Sequence, residues 1–331
     1  MPKPVETGEI HFFYRTKLDV EQPSNTDDLQ RVFLALVPEG AKHARLFVIG
    51  RKQLPEIIAG KSHPTERNWL LLTMVDRPAA IGKALRPERY ETETRGERVT
   101  AEAIPVGSGR YAIVPHHGST QLAWRLVSPE RAGKAQKELR IEEEARYVIA
   151  VKNPSVKVPG FPDEEPDYPK DLADKFADER WIDISDPRLL DYENAQCLLI
   201  GARKDIAPLE IDLDGEADPF VTFGLDADKW PNEPLKQGAF AEPERAAEPV
   251  ETDTDRSKGG KRGGTAAAET DSAAGVASAL KEVSLPTDRS GLAQHAQGNG
   301  AAEEVVALIK RLPDRKFETM ADVMKAVGEV R

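Results

Sequence analysis

The sequence predicts an α+β protein: an antiparallel-rich β unit with few helices, then a disordered linker and a small C-terminal three-helix module. Between residues 8 and 240, short apolar runs alternate with turn residues, and few stretches have helical periodicity. Residues 241–279 are almost devoid of large apolar side chains. In residues 280–331, apolar residues recur at helical spacing.

The composition is that of a globular chain without a membrane span. The 331 residues are 39% hydrophobic and 31% charged, and apolar runs such as residues 69–75 are far shorter than the roughly 18 residues of a transmembrane helix. The N-terminus lacks the apolar stretch of a signal peptide. Cys197 is the single cysteine, which excludes an intramolecular disulfide and a multi-cysteine zinc site. We therefore expect a cytoplasmic protein that requires no cofactor and no metal.

Nine runs rich in β-branched and aromatic residues predict strands before residue 152. Turn signals such as Pro38-Glu39-Gly40 and Gly107-Ser108-Gly109 separate them. Only residues 78–85 and 129–140 look helical there, so the crossover helices that a parallel sheet requires are mostly absent. The predicted strands are residues 9–14, 31–37, 44–49, 69–75, 89–94, 99–106, 110–114, 121–127 and 146–151.

The second part of this unit is strongly acidic. Residues 151–240 hold 21 acidic and 10 basic side chains, in a chain with a net charge of -11. No linker separates them from the preceding strands, so residues 8–240 are predicted to form one unit, with two lobes near 8–155 and 156–240 as an open alternative. Here the patterns predict helices at 170–176 and 187–192 and strands at 181–184, 196–200 and 209–213.

Residues 241–279 are predicted to be a disordered linker. They contain no aromatic residue, and Val250 and Val276 are their only large aliphatic side chains, so they cannot bury enough apolar surface to offset their ordering entropy. A flexible coil of this length would separate its ends by about 35 Å. The parts on either side are expected to fold independently.

Three helices are predicted after the linker, the first from about residue 288 to 297. Pro313 ends the second, and Thr319 with Asp322 has the spacing of a capping box at the start of the third. Each of the last two has one apolar face that needs a partner. These faces consist of Val305, Leu308, Ile309 and Leu312, and of Met320, Val323, Met324 and Val327.

Two resemblances to known families accompany this organisation. The step Leu312-Pro313-Asp314-Arg315 and its spacing to Asp322-Val323 resemble a bacterial module named domain of unknown function 2795, over residues 280–329. Residues 8–205 resemble a family of uncharacterised soluble proteins, through motifs such as Gly8-Glu9-Ile10-His11. The first resemblance implies a helical module, and neither implies a reaction or site residues.

His116 and His117 are candidate catalytic residues, because a histidine pair can supply an acid, a base or a metal ligand. Adjacent residues on a strand point to opposite faces, so the two rings can act together only if the backbone bends there. We favour a surface loop between two strands and assign no metal site.

Four arginines, Arg15, Arg51, Arg95 and Arg98, are candidate anion-binding residues near the predicted strand ends. With His116 or His117 as acid or base, they would suit an enzyme or ligand-binding protein that acts on an anionic small molecule or nucleotide. This function is the first alternative to the reading favoured below.

Several arginines stand beside aromatic residues, as in Tyr14-Arg15, Trp124-Arg125 and Arg146-Tyr147. A sheet that exposes such rings can bind single-stranded RNA, which is a second alternative. An amphipathic strand with its ring inward and its guanidinium in water gives the same alternation, and we favour that interpretation.

The sequence contains no complete catalytic motif, such as a P-loop, a nucleophile elbow or a dinucleotide fingerprint. The first 150 residues hold 23 basic and 20 acidic side chains, an excess too small to suggest duplex DNA binding. We therefore predict a non-catalytic, cytoplasmic binding or adaptor protein with an unknown protein partner, and no interaction with membranes.

Overall fold

The computed structural model describes residues 3–18, 20–58, 63–92, 96–158, 161, 163–243 and 250–251, and in the C-terminal part 280, 283, 286–298, 301, 303–317, 319, 322–323 and 326–327. The chain divides into two compact units, Met1–Thr252 and Asp253–Arg331. Among the described residues, no helix is both long enough and apolar enough to cross a membrane.

The first unit consists mainly of strands, as the sequence predicts. Its five short α-helices are α1 (Pro78–Ala84), α2 (Lys134–Leu139), α3 (Lys170–Ala173), α4 (Pro219–Phe223) and α5 (Glu233–Gln237). Its strands are β1 (Glu6–Thr16), β2 (Leu29–Pro38), β3 (Ala44–Ile49), β4 (Arg67–Asp76), β5 (Glu88–Thr92), β6 (Gly96–Val99), β7 (Ile104–His116), β8 (Ser119–Ser128), β9 (Glu144–Lys152), β10 (Trp181–Asp183), β11 (Gln196–Arg203) and β12 (Val250–Glu251).

Nine of these strands form one antiparallel sheet in the order β10-β9-β11-β4-β3-β2-β1-β7-β8. Strand β8 also pairs with β9, from Gln121 opposite Val148 to Arg125 opposite Glu144. This pairing closes the eight strands from β9 to β8 into a barrel. Strand β10 lies outside this closed set and pairs with the end of β9. Strand β11 lies between β4 and β9, so both predicted lobes contribute to one sheet.

The barrel interior is filled by large side chains. Phe12, Tyr14, Trp124 and Tyr147 are fully buried, and the Trp124 and Tyr147 rings stack with their centroids 4.9 Å apart. Successive side chains of a strand alternate between its faces, so the apolar residues of each strand enter this interior every second position. The barrel interior is therefore a packed core.

Other segments of the unit cover this core. Leu172, Phe176 and Leu190, from the segment that follows β9, pack against it, as do Leu139 of α2 and Ala241. The Tyr147 hydroxyl donates to the Pro55 carbonyl at 3.4 Å. Tyr14 and the Ala241 backbone are joined by two hydrogen bonds of 2.8 and 3.3 Å.

A buried ion-pair network lies inside the barrel near the start of β1 and β3. Arg45, only 2% exposed, donates to both carboxylate oxygens of Glu6 at 2.6 and 2.9 Å and to Asp191 at 2.8 Å. The Tyr111 hydroxyl donates to Glu6 at 2.7 Å, and His43 contacts Asp191 at 2.8 Å. Buried charges are tolerated when each is paired and hydrogen-bonded in this way.

Parts of the outer surface of the barrel are covered too. α1, α4 and Trp230 pack on the outer side chains of β1–β3, and Ile206, Leu209 and Leu213 pack on those of β7 and β8. The predicted strand 209–213 is wrong, because this segment is a 3-10 turn (Ala207–Leu209) followed by irregular chain. Every second residue of this segment packs on the barrel surface. This spacing gives the same alternation of apolar and polar residues as a strand.

The predicted turn at Gly107-Ser108-Gly109 is wrong as well, because β7 runs through it. The register of β7 shifts there against both neighbouring strands, as at a β-bulge. A Cβ on Gly109 would lie 2.1 Å from the Arg125 carbonyl oxygen. These glycines therefore permit close approach of backbones within a strand and do not end it.

The predicted linker falls mainly on residues 244–249 and 252–279, which lie outside the described residues. Its described residues belong to the first unit. Ala241 is buried there, and β12 pairs in parallel with β5 in a small sheet that also contains β6.

The second unit has its own apolar core. It contains α6 (Arg289–Gly298), α7 (Glu303–Lys310) and a short antiparallel pair, β13 (Thr287–Asp288) and β14 (Lys316–Phe317). Of the residues assigned to the third helix, 322–323 and 326–327 are helical, and the Thr319 hydroxyl accepts from the Asp322 N–H at 3.2 Å as expected for its cap. The predicted apolar faces meet in the core, where Leu308, Ile309, Leu312, Val323 and Val327 are buried; the side chains of Met320 and Met324 lie outside the described residues.

Candidate functional site

His116 and His117 lie where β7 turns into β8. His116 is the last residue of β7, and His117 and Gly118 form the turn with φ values of 48° and 76°. This left-handed backbone bends the chain and brings the two imidazole centroids to 4.1 Å. The bend that joint action of the two rings requires is therefore present.

His116 contacts an arginine of the neighbouring strand. Nη1 of Arg146 donates to Nε2 of His116 at 3.3 Å and to Oε1 of Gln121 at 3.4 Å. Burial lowers the pKa of His116, and the adjacent His117 and Arg146 lower it further. The ring that accepts this hydrogen bond is the neutral imidazole.

Arg146 is 8% exposed, on the outer face of β9. Its Nε is buried without a hydrogen-bond acceptor. Burial lowers the pKa of Arg146 and nearby Arg203 adds to this effect, while Asp205 opposes it. The sequence shows Arg146 only as a neighbour of Tyr147, because the contact of Arg146 with His116 depends on the β8–β9 register.

The four predicted anion-binding arginines have different surroundings. Arg15 is 6% exposed, and its Nη2 donates to the Ala84 and Arg86 carbonyls at 3.0 and 3.2 Å, so it closes the C-terminal end of α1. Arg51 is exposed in a 3-10 turn between β3 and β4. Arg95 lies outside the described residues, and of Arg98 only its backbone pairing in β6 is described.

A serine, a histidine and a glutamate form a chain of contacts on the outer face of β1 and β7. The Ser108 hydroxyl lies 3.0 Å from Nδ1 of His11, and Nε2 of His11 lies 3.0 Å from a Glu9 oxygen. These residue types in this order are those of a nucleophile, its base and an orienting carboxylate.

The surroundings of this chain favour a structural role. Ser108 and His11 are fully buried, and the Ser108 hydroxyl donates to the Ala217 carbonyl at 2.5 Å. Thr222 donates to Glu9 at 2.6 Å. These hydrogen bonds attach the segment 217–222 to the barrel, and they occupy the hydroxyl that a nucleophile would use.

Four aromatic residues that suggested RNA binding through their arginine neighbours point inward. Tyr14, Tyr111, Trp124 and Tyr147 are all fully buried in the barrel, whereas the side chain of Tyr90, beside Arg89, lies outside the described residues. A ring that is enclosed by a packed core cannot stack with a base. The alternation of basic and aromatic residues therefore reflects strands with one buried face, as favoured above.

Two surface depressions lie outside the barrel. One lies beside Pro55, where Arg140 pairs with Glu56 at 2.5 Å and Lys204 with Glu142 at 2.6 Å. The other lies between Lys152 and Phe161. In the part of the chain that the structure describes, no three His, Cys, Asp or Glu side chains are grouped as a metal site would require.

Comparison with known proteins identifies one region. Residues 271–324 match the family described as a protein of unknown function, DUF2795. This match agrees with the resemblance seen in the C-terminal module. No curated protein and no solved structure matches the chain.

Proposed function

We propose that this chain is a two-unit adaptor whose units bind different partners, at least one of them a protein. The observation that carries the proposal is the filled barrel: its interior is occupied by Phe12, Trp124, Tyr147 and their neighbours. Such a barrel has no room for a ligand, so it serves as a rigid body that binds through its outer surface.

The second unit supports an adaptor through its separate core. This core lies within residues 280–327 and includes Leu308, Val323 and Val327. The match to DUF2795 covers most of this unit. Two bodies on one chain raise the effective concentration of one binding surface near the partner of the other.

The alternative functions receive less support from the geometry. RNA binding through stacked rings would need Tyr14 or Trp124 to be accessible, and both are buried. Catalysis by Ser108 and His11 would require the segment over them to leave. Binding of an anionic ligand needs no such rearrangement at Arg146.

The adaptor proposal is tested with the full-length chain and a Leu308→Asp variant. The buried carboxylate should unfold the second unit, while the barrel retains its own thermal transition. Affinity purification with both proteins should show loss of one set of bound proteins and retention of another. Loss of every partner, or of none, would contradict the proposal; Lys310→Asp, an exposed change on the same helix, is the matched control.

A further inference from the structure

Three pairs of arginines face each other across neighbouring strands on the outside of the barrel. Directly opposite like charges destabilise a sheet unless other charges compensate. The surroundings of the three pairs can therefore be compared. The pairs are Arg15 with Arg31, Arg110 with Arg125, and Arg146 with Arg203.

Carboxylates compensate two of these pairs. Arg110 lies 3.4 Å from Glu39, and Arg125 contacts Glu144 at 2.7 Å and Asp214 at 2.9 Å. For the pair with Arg31, Glu88 lies 4.0 Å from Arg15. In both cases the chain itself supplies the negative charge.

The third pair is different. Within the described residues, no carboxylate oxygen lies within 4.0 Å of Arg146 or Arg203. Arg203 donates to the carbonyl of Ala202 at 3.1 Å. Asp205 acts on Arg146 through its charge, and its Oδ1 accepts from the Ala207 N–H at 2.8 Å.

The guanidinium of Arg146 is also removed from water without a complete set of hydrogen-bond acceptors. Its Nε is buried without an acceptor, and its Nη1 shares two long hydrogen bonds, of 3.3 Å with His116 and 3.4 Å with Gln121. Buried polar groups normally have partners, and a guanidinium that lacks one favours an added anion. His117, which is exposed, lies against His116, with the two ring centroids 4.1 Å apart.

We propose that Arg146, His116 and Arg203 bind the phosphate group of a small phosphate monoester on the outer surface of the barrel. The inference goes beyond the proposed function, because it names a small-molecule ligand class for the outer surface of the first unit. A phosphate monoester carries about -1.5 to -2 charges at pH 7 and three acceptor oxygens. It can accept hydrogen bonds from a guanidinium and from a protonated imidazole together.

Phosphate binding should draw a proton onto the site. The charged and titratable groups that surround His116 are Arg146, His117, Arg203, Asp205 and, bonded to the neighbouring Thr120 N–H, Asp183. A dianion would add two negative charges beside the ring, which favours the imidazolium form of a neighbouring histidine. The pKa of His116 is therefore expected to rise when phosphate binds.

The test uses histidine NMR signals of the full-length chain in a phosphate-free buffer at low salt. The chain has six histidines, so single substitutions assign them. Inorganic phosphate and O-phosphoserine should each shift the His116 signals saturably and raise its apparent pKa, whereas acetate at the same concentration should not. Arg146→Met should weaken binding by about 10- to 100-fold, as for loss of a charged hydrogen bond.

Arg125→Met is the matched control, because Arg125 lies on the adjacent strand but is paired with carboxylates. This variant should bind phosphate as tightly as the wild-type protein does. His116→Ala, a change at the end of β7, should also weaken binding, followed here by the signals of the adjacent His117, and it covers the case in which Arg146→Met does not fold. Absence of a saturable shift in the wild type, or unchanged binding in a folded Arg146→Met or His116→Ala protein, would overturn the site. Equal binding of acetate would overturn the phosphate assignment.

These outcomes are separate from those of the adaptor test. If phosphate does not bind while Leu308→Asp still removes one set of partners, the site is wrong and the adaptor function stands. If phosphate binds but the partner sets do not separate, the site stands and the adaptor function is wrong.

Discussion

Arg45 shows how a single charged residue can stabilise an otherwise apolar barrel. Its guanidinium is bidentate to Glu6 and also bonded to Asp191, and these three hydrogen bonds join β3 to the first strand and to the segment before β11. Together the hydrogen bonds raise the pKa of Arg45 despite the opposing effect of burial. Removal of one member would leave the other charges buried and unpaired.

We predict that Arg45→Met lowers the free energy of unfolding by about 3–5 kcal/mol, because Glu6 loses its counter-ion in a buried position. Urea unfolding followed by tryptophan fluorescence measures the change. Arg188→Met is the control, since Arg188 is bonded to Asp186 and Asp171 on the surface, where ion pairs contribute little. Similar small effects for both variants would contradict this account.

Cys197 illustrates a residue for which sequence context and structure agree. The apolar run Leu198-Leu199-Ile200 follows it in the sequence, and in the structure it is fully buried on the barrel interior. Burial raises the pKa of the Cys197 thiol to about 12. The thiolate, which is the reactive form, is therefore scarce at neutral pH.

We predict that Cys197 of the native protein does not react with a thiol reagent such as DTNB at pH 8 within hours. Addition of urea above the unfolding midpoint should release the full reaction, because the unfolded thiol has an ordinary pKa. The absorbance of released thionitrobenzoate measures both stages. Fast reaction of the native protein would show that the barrel interior opens.

At the scale of elements, one glycine determines how α1 packs against α4. A Cβ on Gly82 would lie 2.0 Å from the Phe223 carbonyl oxygen. The two helices therefore approach as closely as a backbone contact allows. Phe223 and Ile81 are both buried at this contact, in the cluster that covers β1–β3.

We predict that Gly82→Ala lowers the free energy of unfolding by about 1–3 kcal/mol, although alanine favours a helix. The added methyl group would displace α4 from the barrel. Denaturant unfolding measures stability, and hydrogen exchange of residues 217–223 measures the displacement. Lys83→Ala, at an exposed position of the same helix, should leave both unchanged; a stabilised Gly82→Ala protein would refute the close contact.

Local patterns predicted elements more accurately than they predicted connections between elements. The apolar alternation of residues such as Phe12 and Leu34 is visible in the sequence because each strand has one face in the core. The β8–β9 pairing that closes the barrel joins residues from 19 positions apart (Arg125 and Glu144) to 27 positions apart (Gln121 and Val148), and no local signal records that register. For the same reason, His116 could be selected from the sequence while its contact with Arg146 could not.

Helix α2 is shorter than predicted, and the reason is again a contact between residues that are distant in the sequence. Residues 129–140 were predicted to be one helix, whereas α2 begins only at Lys134. Gly133 precedes the helix and lies against Gly238, where a Cβ would be 2.5 Å from the Gly238 backbone. Tertiary packing against a distant glycine determines where this helix begins, and helix propensity has a smaller influence.

At the scale of the whole molecule, Ala241 shows that the first unit extends into the predicted linker. It is buried, with its N–H and C=O both bonded to the Tyr14 hydroxyl. The linker predicted from composition begins at this residue, because an alanine in the sequence does not indicate whether its side chain is buried. The boundary between the two compact units lies later, between Thr252 and Asp253.

We predict that a chain of residues 1–252 has the same thermal midpoint as the barrel transition of the full-length protein. A chain of residues 1–240 should lose about 1–3 kcal/mol, because Tyr14 is left buried without its partner. Differential scanning calorimetry of the three chains measures the difference. Tyr14→Phe in the longer chain is a control that removes the same hydroxyl, and equal midpoints for the two truncated chains would contradict the assigned boundary.

The position of β11 between β4 and β9 has a consequence for biosynthesis. A ribosome that has not yet translated residues 196–203 has produced eight of the nine strands of the sheet, in which β4 and β9 still lack this neighbour. Unpaired strand edges associate readily with other chains. Truncated products that end before β11 should therefore aggregate and depend on chaperones, whereas those that end beyond Ala241 should not.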